Sequence, residues 1–521
     1  MKISYKLFFV LMLSALFSFQ EVSKQSIINQ ENIIITSSPS INPVFKRLDI
    51  NPQLCIKIIV PSGIGSIAIK KIACTINKPG LKALQKIDLF SCNSATFATT
   101  NTLGSFQPTN SSFEIPVDIN LSQGTHYLWV GVTLNNKASI NDLIEIHCTD
   151  LIGLNNTKYT VLESTTSYAK RIGIAIRKAN DDSVNTYRIP GLVTTNKGTL
   201  LAVYDIRYNN GRDLPGNINV GLSRSTDGGK SWQPMQVIMD MGIPHENNGI
   251  GDPTILFDPL THKIFVAALW SKGNRSIAGS KPGMSADTTG QFVLVNSSDD
   301  GLTWSKPYSI TPQIKNPAWH LFFQGPGNGI SMQDGKLVFP AQYWDEFKIP
   351  YSTIIYSDDH GETWKGNIIG PKSNTTESQV VETLPGTLML NMRDNRGGFR
   401  SVATTVDMGK NWKTHTTSFN TLADPVCMAS IIKAKVKIGG KLTEVLFFSN
   451  PNTNAGRFNI TIKASLDLGE TWLPINELLL DDRKCYGYSS LTKVDDHTIG
   501  ILYEGNKDLY FLKIPVTDII K

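Results

Sequence analysis

The sequence predicts an all-β protein, a six-bladed β-propeller preceded by a smaller β-sandwich domain. Three observations predict it. A turn motif recurs five times after about residue 170, a strand-like run precedes the copies, and the earlier part of the chain carries alternating runs of its own. At 521 residues the chain is long enough for two or more folded units, each with its own core.

Taken in order, the first element is a signal segment at residues 1–20. Lys2 and Lys6 stand ahead of an apolar run over residues 7–19, the layout of a secretory signal peptide. The protein is therefore expected to be exported, whether secreted, periplasmic or associated with the cell surface. The alternative is an uncleaved anchor, but the run is shorter than the ~20 residues a membrane-spanning helix needs. No second long apolar stretch follows, so no transmembrane segment is expected in the mature chain.

Residues 21–167 read as the sandwich. Runs at 113–119 and 126–134 alternate apolar with polar side chains and are divided by the turn signal Ser122-Gln123-Gly124. A polar stretch over residues 155–166 marks the boundary. Cys55, Cys74, Cys92 and Cys148 lie in this part, Cys427 and Cys485 in the next. Export permits disulfides, and the first four allow three pairings, but buried free thiols account for them equally well.

Residues 168–521 hold the repeats: Ser225-Thr-Asp-Gly-Gly-Lys-Ser-Trp232, Ser297-Ser-Asp-Asp-Gly-Leu-Thr-Trp304, Ser357-Asp-Asp-His-Gly-Glu-Thr-Trp364, Thr405-Val-Asp-Met-Gly-Lys-Asn-Trp412 and Ser465-Leu-Asp-Leu-Gly-Glu-Thr-Trp472. In each, the aspartate (Asp227, Asp299, Asp359, Asp407, Asp467) can accept turn amides, Gly can take a positive φ, and Trp can pack back between sheets. Such a box joins consecutive strands of one sheet, and radial repetition of four-stranded sheets makes a propeller. The run at 172–176 is placed to complete a blade with the C-terminal runs at 497–503 and 509–514, closing the ring and burying its edges.

The net charge of +6 is spread along the chain without the clusters that track a phosphate backbone, so nucleic acid is not an expected partner. Gly325-Pro-Gly-Asn-Gly329 lacks the strand-and-helix setting of a nucleotide loop, and the eight histidines show no ligand spacing. No cofactor and no metal is expected. Oligomeric state is not legible.

Five boxes give a fold, which hosts enzymes and noncatalytic receptors alike, so function has to come from other positions. Tyr187-Arg188-Ile189-Pro190-Gly191-Leu192 strongly resembles the Arg-Ile-Pro motif of sialidases, and the resemblance, which includes the order of the motifs, extends over nearly all of residues 171–521. It implies three arginines that bind the substrate carboxylate: Arg188, Arg393 in Asn391-Met-Arg-Asp-Asn-Arg-Gly397, and Arg457 in Asn454-Ala-Gly-Arg-Phe458. A planar guanidinium matches a carboxylate bidentately, which lysine cannot. Arg396 and Arg400 compete with Arg393, whose Asn-x-Arg context matches the family.

The resemblance further implies Tyr488, in Cys485-Tyr-Gly-Tyr-Ser489, as nucleophile and Glu377, in Thr376-Glu-Ser-Gln379, as the base that takes its proton. Sialidases are a recognised exception among glycosidases in using a tyrosine. The choice has chemical logic, because sialic acid carries a carboxylate on its anomeric carbon and would repel an anionic nucleophile. Tyr486 shares strand parity with Tyr488 and is the main rival; Glu382 competes less well with Glu377. Asp213, on the loop at 209–216, resembles the general acid/base and is preferred to Asp205, which ends a strand-like run. Arg207 is assigned to the substrate-binding set, with the substrate carboxylate or Asp213 within its reach. Glu504 resembles the carboxylate that orients Arg188.

The expected activity is retaining hydrolysis of terminal sialosides on glycoproteins, glycolipids or oligosaccharides. Sialyl transfer to another sugar or to the substrate's own hydroxyl is the enzymatic alternative, and a sialic-acid-binding lectin the noncatalytic one. The sandwich resembles the carbohydrate-binding domains attached to some sialidases; a structural domain packed on the propeller is its alternative.

Overall fold

The computed structural model describes residues 33–98, 101–164 and 167–521, so the expected signal segment lies outside the described residues. Among the described residues no helix is long and apolar enough to cross a membrane.

The first unit is two antiparallel-dominated sheets packed face to face. One runs in the order Leu162–Glu163, Ile34–Pro39, Asn51–Val60, Gly124–Leu134, Leu84–Cys92, Thr102–Phe106; the other in the order Lys158–Thr160, Ile146–Gly153, Ser66–Ile76, Ser112–Ser122. Alternation decides which face is buried. Ser112–Ser122 turns Phe113, Ile115, Val117 and Leu121 inward against Ile56, Ile58, Val130 and Val132 of the facing sheet. The runs on either side of Ser122-Gln123-Gly124 belong to different sheets, so this turn, with Gly124 at φ 133°, carries the chain from one layer to the other. All six cysteines are free thiols, and Cys74 and Cys148 are register partners on adjacent strands.

The second unit is the propeller. Blade 1 is Thr186–Thr194, Leu200–Arg207, Ile218–Ser225 and Gln236–Met239, and blade 2 is Ile250–Phe257, Ile264–Trp270, Gln291–Ser297 and Tyr308–Ser309. In blade 3 the inner position is shared by Leu321–Gln324 and Ile330–Ser331, followed by Leu337–Trp344 and Pro350–Ser357. Blade 4 is Thr375–Glu382, Leu388–Asp394, Ser401–Thr405 and Lys413–Thr414; blade 5 is Ser430–Ile438, Lys441–Pro451, Ile460–Ser465 and Glu477–Asp481. Blade 6 takes Ser489–Asp495, Thr498–Glu504 and Leu509–Pro515 from the C-terminus and Lys170–Arg177 from the start of the propeller, so strands distant in sequence close the ring.

Each box follows the third strand position of its blade and turns the chain back along it, onto a fourth strand in blades 1, 2, 4 and 5 and onto a single Tyr356–Lys365 bridge in blade 3, and each satisfies itself. In the third, Ser357 Oγ donates to Asp359 Oδ1 (2.7 Å), Gly361 N–H donates to Ser357 Oγ (2.8 Å), and Thr363 N–H donates to Asp359 Oδ1 (2.9 Å). Three of the five tryptophans pack on aromatic side chains, Trp232 against Phe511, Trp364 against Phe339 and Trp472 against Phe448, while Trp304 and Trp412 lie against apolar clusters. Hydrogen bonds from the side chain and amide of Thr303 hold the Asp299 carboxyl down to about 2.

The break in the inner strand of blade 3 explains the glycine run. Gly327–Asn328 leaves its blade to pair in parallel with Thr254 and Ile255 of blade 2, and Gly327 takes φ 108°. Asn328 then donates to the Leu491 carbonyl (2.9 Å) and accepts from Leu192 N–H (3.1 Å) and Ser490 Oγ (2.7 Å). A Cβ at Gly325 would sit 2.5 Å from the Ser378 carbonyl oxygen. The run is a hub at the propeller axis.

Candidate active site

The connections opposite the Asp boxes, together with bulged inner strands, surround a cavity of about 230 Å³ on the axis. Its lining includes Arg188, Asp213, Glu377, Arg393, Arg457 and Tyr488, drawn from blades 1, 4, 5 and 6 and their connections. A wider groove of about 770 Å³, between residues 194–198 and 492–497, brings no comparable set of arginines and carboxylates together.

Arg188 comes from the inner strand of blade 1, where the register slips between Arg188 and Gly191. Ile189 takes φ 57° immediately before Pro190, a conformation disfavoured for a β-branched residue and for any residue preceding proline. Glu504 holds this bulge. One of its oxygens accepts both Ile189 N–H (2.9 Å) and Arg188 Nε (3.1 Å), and the other accepts Tyr488 N–H (2.9 Å). One fully buried carboxylate therefore sets the backbone, the first arginine and the tyrosine strand together.

Tyr488 is 5% exposed, and its hydroxyl donates to Glu377 Oε1. Arg393 Nη1 bonds to both members of the pair, Glu377 Oε2 at 2.5 Å and Tyr488 Oη at 3.1 Å. Burial and the neighbouring Glu377 carboxylate push the Tyr488 phenol well above its ordinary value, so the resting hydroxyl is neutral. Arg457 is oriented by carbonyls, with Nη1 on Tyr486 O (2.9 Å) and Nη2 on Val426 O (3.1 Å). Carbonyls direct its charge without neutralising it, which leaves it free to attract an anion.

Asp213 has a side chain 65% exposed, and its Oδ1 accepts Arg207 Nη1 (2.7 Å) and Arg188 Nη1 (3.3 Å). Burial works to raise this carboxyl, but Arg207 and then Arg188 overcome it and hold it below the usual carboxylate range. Arg207 itself is 1% exposed and lies behind Asp213, with its other donors spent on Asp205 Oδ2 (2.8 and 3.0 Å) and Gly211 O (2.9 Å). Of the two contacts expected of Arg207, the structure contains the one to Asp213.

The rivals are placed elsewhere. Tyr486 lies with its ring 4.5 Å from the Arg188 guanidinium carbon. Arg396 binds Asp394 and the Ser373 carbonyl, while Arg400 is fully buried on Asn391 and the Cys427 carbonyl. Glu382 accepts Gln333 and Gly386 amides at the far end of its strand, and Asp205 is occupied by Arg207.

Sequence reasoning missed the opposite wall, where Asp252, Phe323, Gln342 and Trp344 line the cavity. For Asp252 a signal existed, since Asp252-Pro253 occupies in blade 2 the place of Ile189-Pro190 in blade 1. Both inner strands slip register there, both residues take left-handed φ (57° and 59°), and each amide is held by a buried carboxylate, Asp252 N–H by Asp205 Oδ1 at 2.8 Å. Burial and the nearby Asp205 and Asp213 carboxylates raise the Asp252 carboxyl well above its ordinary range.

Residues 189–504 match the family described as BNR repeat-like domain, and residues 30–158 match the N-terminal domain of BNR-repeat neuraminidase. A sialidase of Bacteroides fragilis is 46% identical over 412 residues, covering 78% of this chain and 76% of that protein. Among solved structures, the Hadza microbial sialidase Hz136 superposes with a TM-score of 0.85 at 37% identity, over 93% of this chain and 100% of that one. The intramolecular trans-sialidase of Ruminococcus gnavus, at 18% identity, TM-score 0.55 and coverage of 65% and 96%, shares the fold. With a matching repeat over most of the chain and a close relative of that length, the chain belongs to the sialidases, glycoside hydrolases of the BNR-repeat neuraminidase family.

Proposed function

We propose that the chain is an exo-α-sialidase that releases terminal sialic acid from glycoproteins, glycolipids or oligosaccharides with retention, through a covalent intermediate on Tyr488. The observation that carries this reading is the neutral Tyr488 hydroxyl donating to Glu377 in a cavity where three guanidiniums converge. Arg188, Arg393 and Arg457 take the substrate carboxylate, each charge-assisted hydrogen bond contributing ~1.5 to 3 kcal/mol. That places the anomeric carbon against Tyr488. As the phenol attacks the anomeric carbon, its proton passes to Glu377 and Asp213 protonates the departing glycosidic oxygen; Asp213 then takes a proton from the water that displaces the tyrosyl oxygen from the anomeric carbon, and Glu377 returns its proton to Tyr488.

Arg207 and then Arg188 hold Asp213 below the usual carboxylate range in the free protein, which opposes its work as an acid. A bound carboxylate relieves part of this, because it competes for Arg188 and brings a negative charge near Asp213 while Arg207 stays in place. Substrate binding thereby favours the protonated form of Asp213.

Hydrolysis of a fluorogenic sialoside, followed by NMR, tests the reading. The α anomer of free sialic acid is the expected first product. First appearance of the β anomer would exclude retention, and an anhydro sugar or a new sialoside would move the activity to transfer. A folded protein that binds sialic acid without turnover would be a lectin. We place the activity outside the cytoplasm on the strength of the apolar segment at residues 7–19; N-terminal sequencing of the exported protein checks this.

A further inference from the structure

We propose that Phe45, carried by the N-terminal sandwich, is a positioning residue for the Glu504 clamp, which makes the sandwich a working part of the catalytic unit. Val44–Lys46 leaves the sandwich and pairs in parallel with Ile172–Ile174, adding a strand to blade 6 outside the four that close the ring. Asn51, on a sandwich strand, fixes this segment by accepting Phe45 N–H (2.7 Å) and donating to the Phe45 carbonyl (3.1 Å).

The Phe45 ring does not stay at the edge. Its register partner on the neighbouring strand is Gly173, where a Cβ would lie 2.7 Å from the ring. The missing side chain lets the ring cross that strand and stack on Tyr510, with centroids 4.3 Å apart and planes 16° from parallel. Phe45 also meets Tyr503 edge-on at 6.3 Å, and Arg483 caps the cluster, 5.7 Å from the Phe45 centroid and 5.5 Å from that of Tyr510.

This cluster backs the clamp from both sides. Tyr503 immediately precedes Glu504, and its hydroxyl is fixed by Asp481, which Arg483 also holds. Gly505 follows Glu504 and lies directly against the Tyr510 ring, in contact close enough that a Cβ there would overlap it. Tyr486 N–H donates to the Gly505 carbonyl (3.2 Å), so movement of this corner reaches the tyrosine strand as well. A buried carboxylate that orients an arginine is only as well placed as the backbone carrying it.

The test uses the full chain with Phe45→Ala, Gly173→Ala, which pushes the ring off Tyr510 without removing it, and Phe45→Leu, which keeps apolar volume if alanine fails to fold. Amide hydrogen exchange reads the clamp directly, because Ile189 and Tyr488 both donate to Glu504. The expected result is exchange at these two amides faster by about tenfold, unchanged exchange at the box amide of Gly361, and KM for a fluorogenic sialoside raised about tenfold with kcat largely kept. Phe45→Leu recovers part of both effects. Uniformly faster exchange, or a lower melting temperature with unchanged KM and unchanged exchange at Ile189 and Tyr488, would overturn the proposal and leave Phe45 as packing alone. The kinetic arm rests on the sialidase reading. A wild-type protein that turns nothing over sinks that reading, while the exchange arm still decides the role of Phe45.

Discussion

Asp359 and Asp213 are both aspartates on connections between neighbouring strands of a blade, at opposite ends of the sheet. Asp359 accepts from Ser357 and from the amide of Thr363, all within its own turn, and is held at about 2 despite the burial that opposes it. Asp213 accepts only guanidiniums, Arg207 and Arg188, from the neighbouring strands of the same blade, and leaves most of its side chain open. The first carboxylate is satisfied by residues a few positions away and has nothing left to offer a ligand. The second is poised by residues that the fold brings to it and stays available. Local saturation gives a stable turn, and incomplete saturation at the axis gives a reactive group.

The sharpest way to break this contrast is at the nucleophile. Tyr488→Phe removes the hydroxyl and should lower kcat on a fluorogenic sialoside by about 10³-fold or more, while sialic acid still binds by calorimetry. Retained turnover would remove Tyr488 from the mechanism. Next in size is Arg188→Lys, which keeps the charge and loses the fork that reaches substrate, Glu504 and Asp213 together. A fall in kcat/KM of about 10²-fold is expected, equivalent to about 2.7 kcal/mol.

A smaller effect is expected from Arg207→Gln, read in the pH profile. Arg207 holds the Asp213 carboxyl down, so its loss raises that group, and a protonated acid persists to higher pH. The alkaline limb of kcat/KM should move upward; a downward shift would mean that Asp213 is not the acid. The smallest effect belongs to the rim. Asp359→Ala should cost about 1 kcal/mol, the exposed setting weakening each lost hydrogen bond, and lower the melting temperature with no change in kcat or KM. Because the folded-state carboxyl lies below its unfolded value, this contribution is present above roughly pH 4 and is lost as pH falls toward about 2. A kinetic change in Asp359→Ala would dissolve the distinction between rim and axis.

The two regions also differ in how far they could be read from the chain. A box is complete within eight consecutive residues, so its hydrogen bonds are implied by its spelling. Tyr488 and Tyr486 could not be separated that way, because two positions apart they would share parity on a regular strand; in the structure both precede the strand Ser489–Asp495. The structure separates them through Gly487 at φ 96° and through Glu377, which lies on another blade and meets Tyr488 alone. Asp252 was legible in principle, as the second copy of a bulge before proline, yet that pattern gains meaning only when the inner strands are superposed around the axis. Phe45 was out of reach altogether. Nothing in its neighbourhood announces a strand that joins another domain, and the vacancy that admits its ring is a glycine more than a hundred residues away.

By itself the sequence determined the repeating hairpins, the closure of the ring by its two ends and the residue types available for chemistry, because periodicity and turn chemistry act over a few neighbouring positions. Only the tertiary structure decided which arginines face the cavity, which tyrosine meets a base, and that the sandwich contributes a strand to blade 6. Those outcomes depend on distances between strands of different blades, and a propeller sets such distances through the packing of its whole ring, which no local pattern encodes.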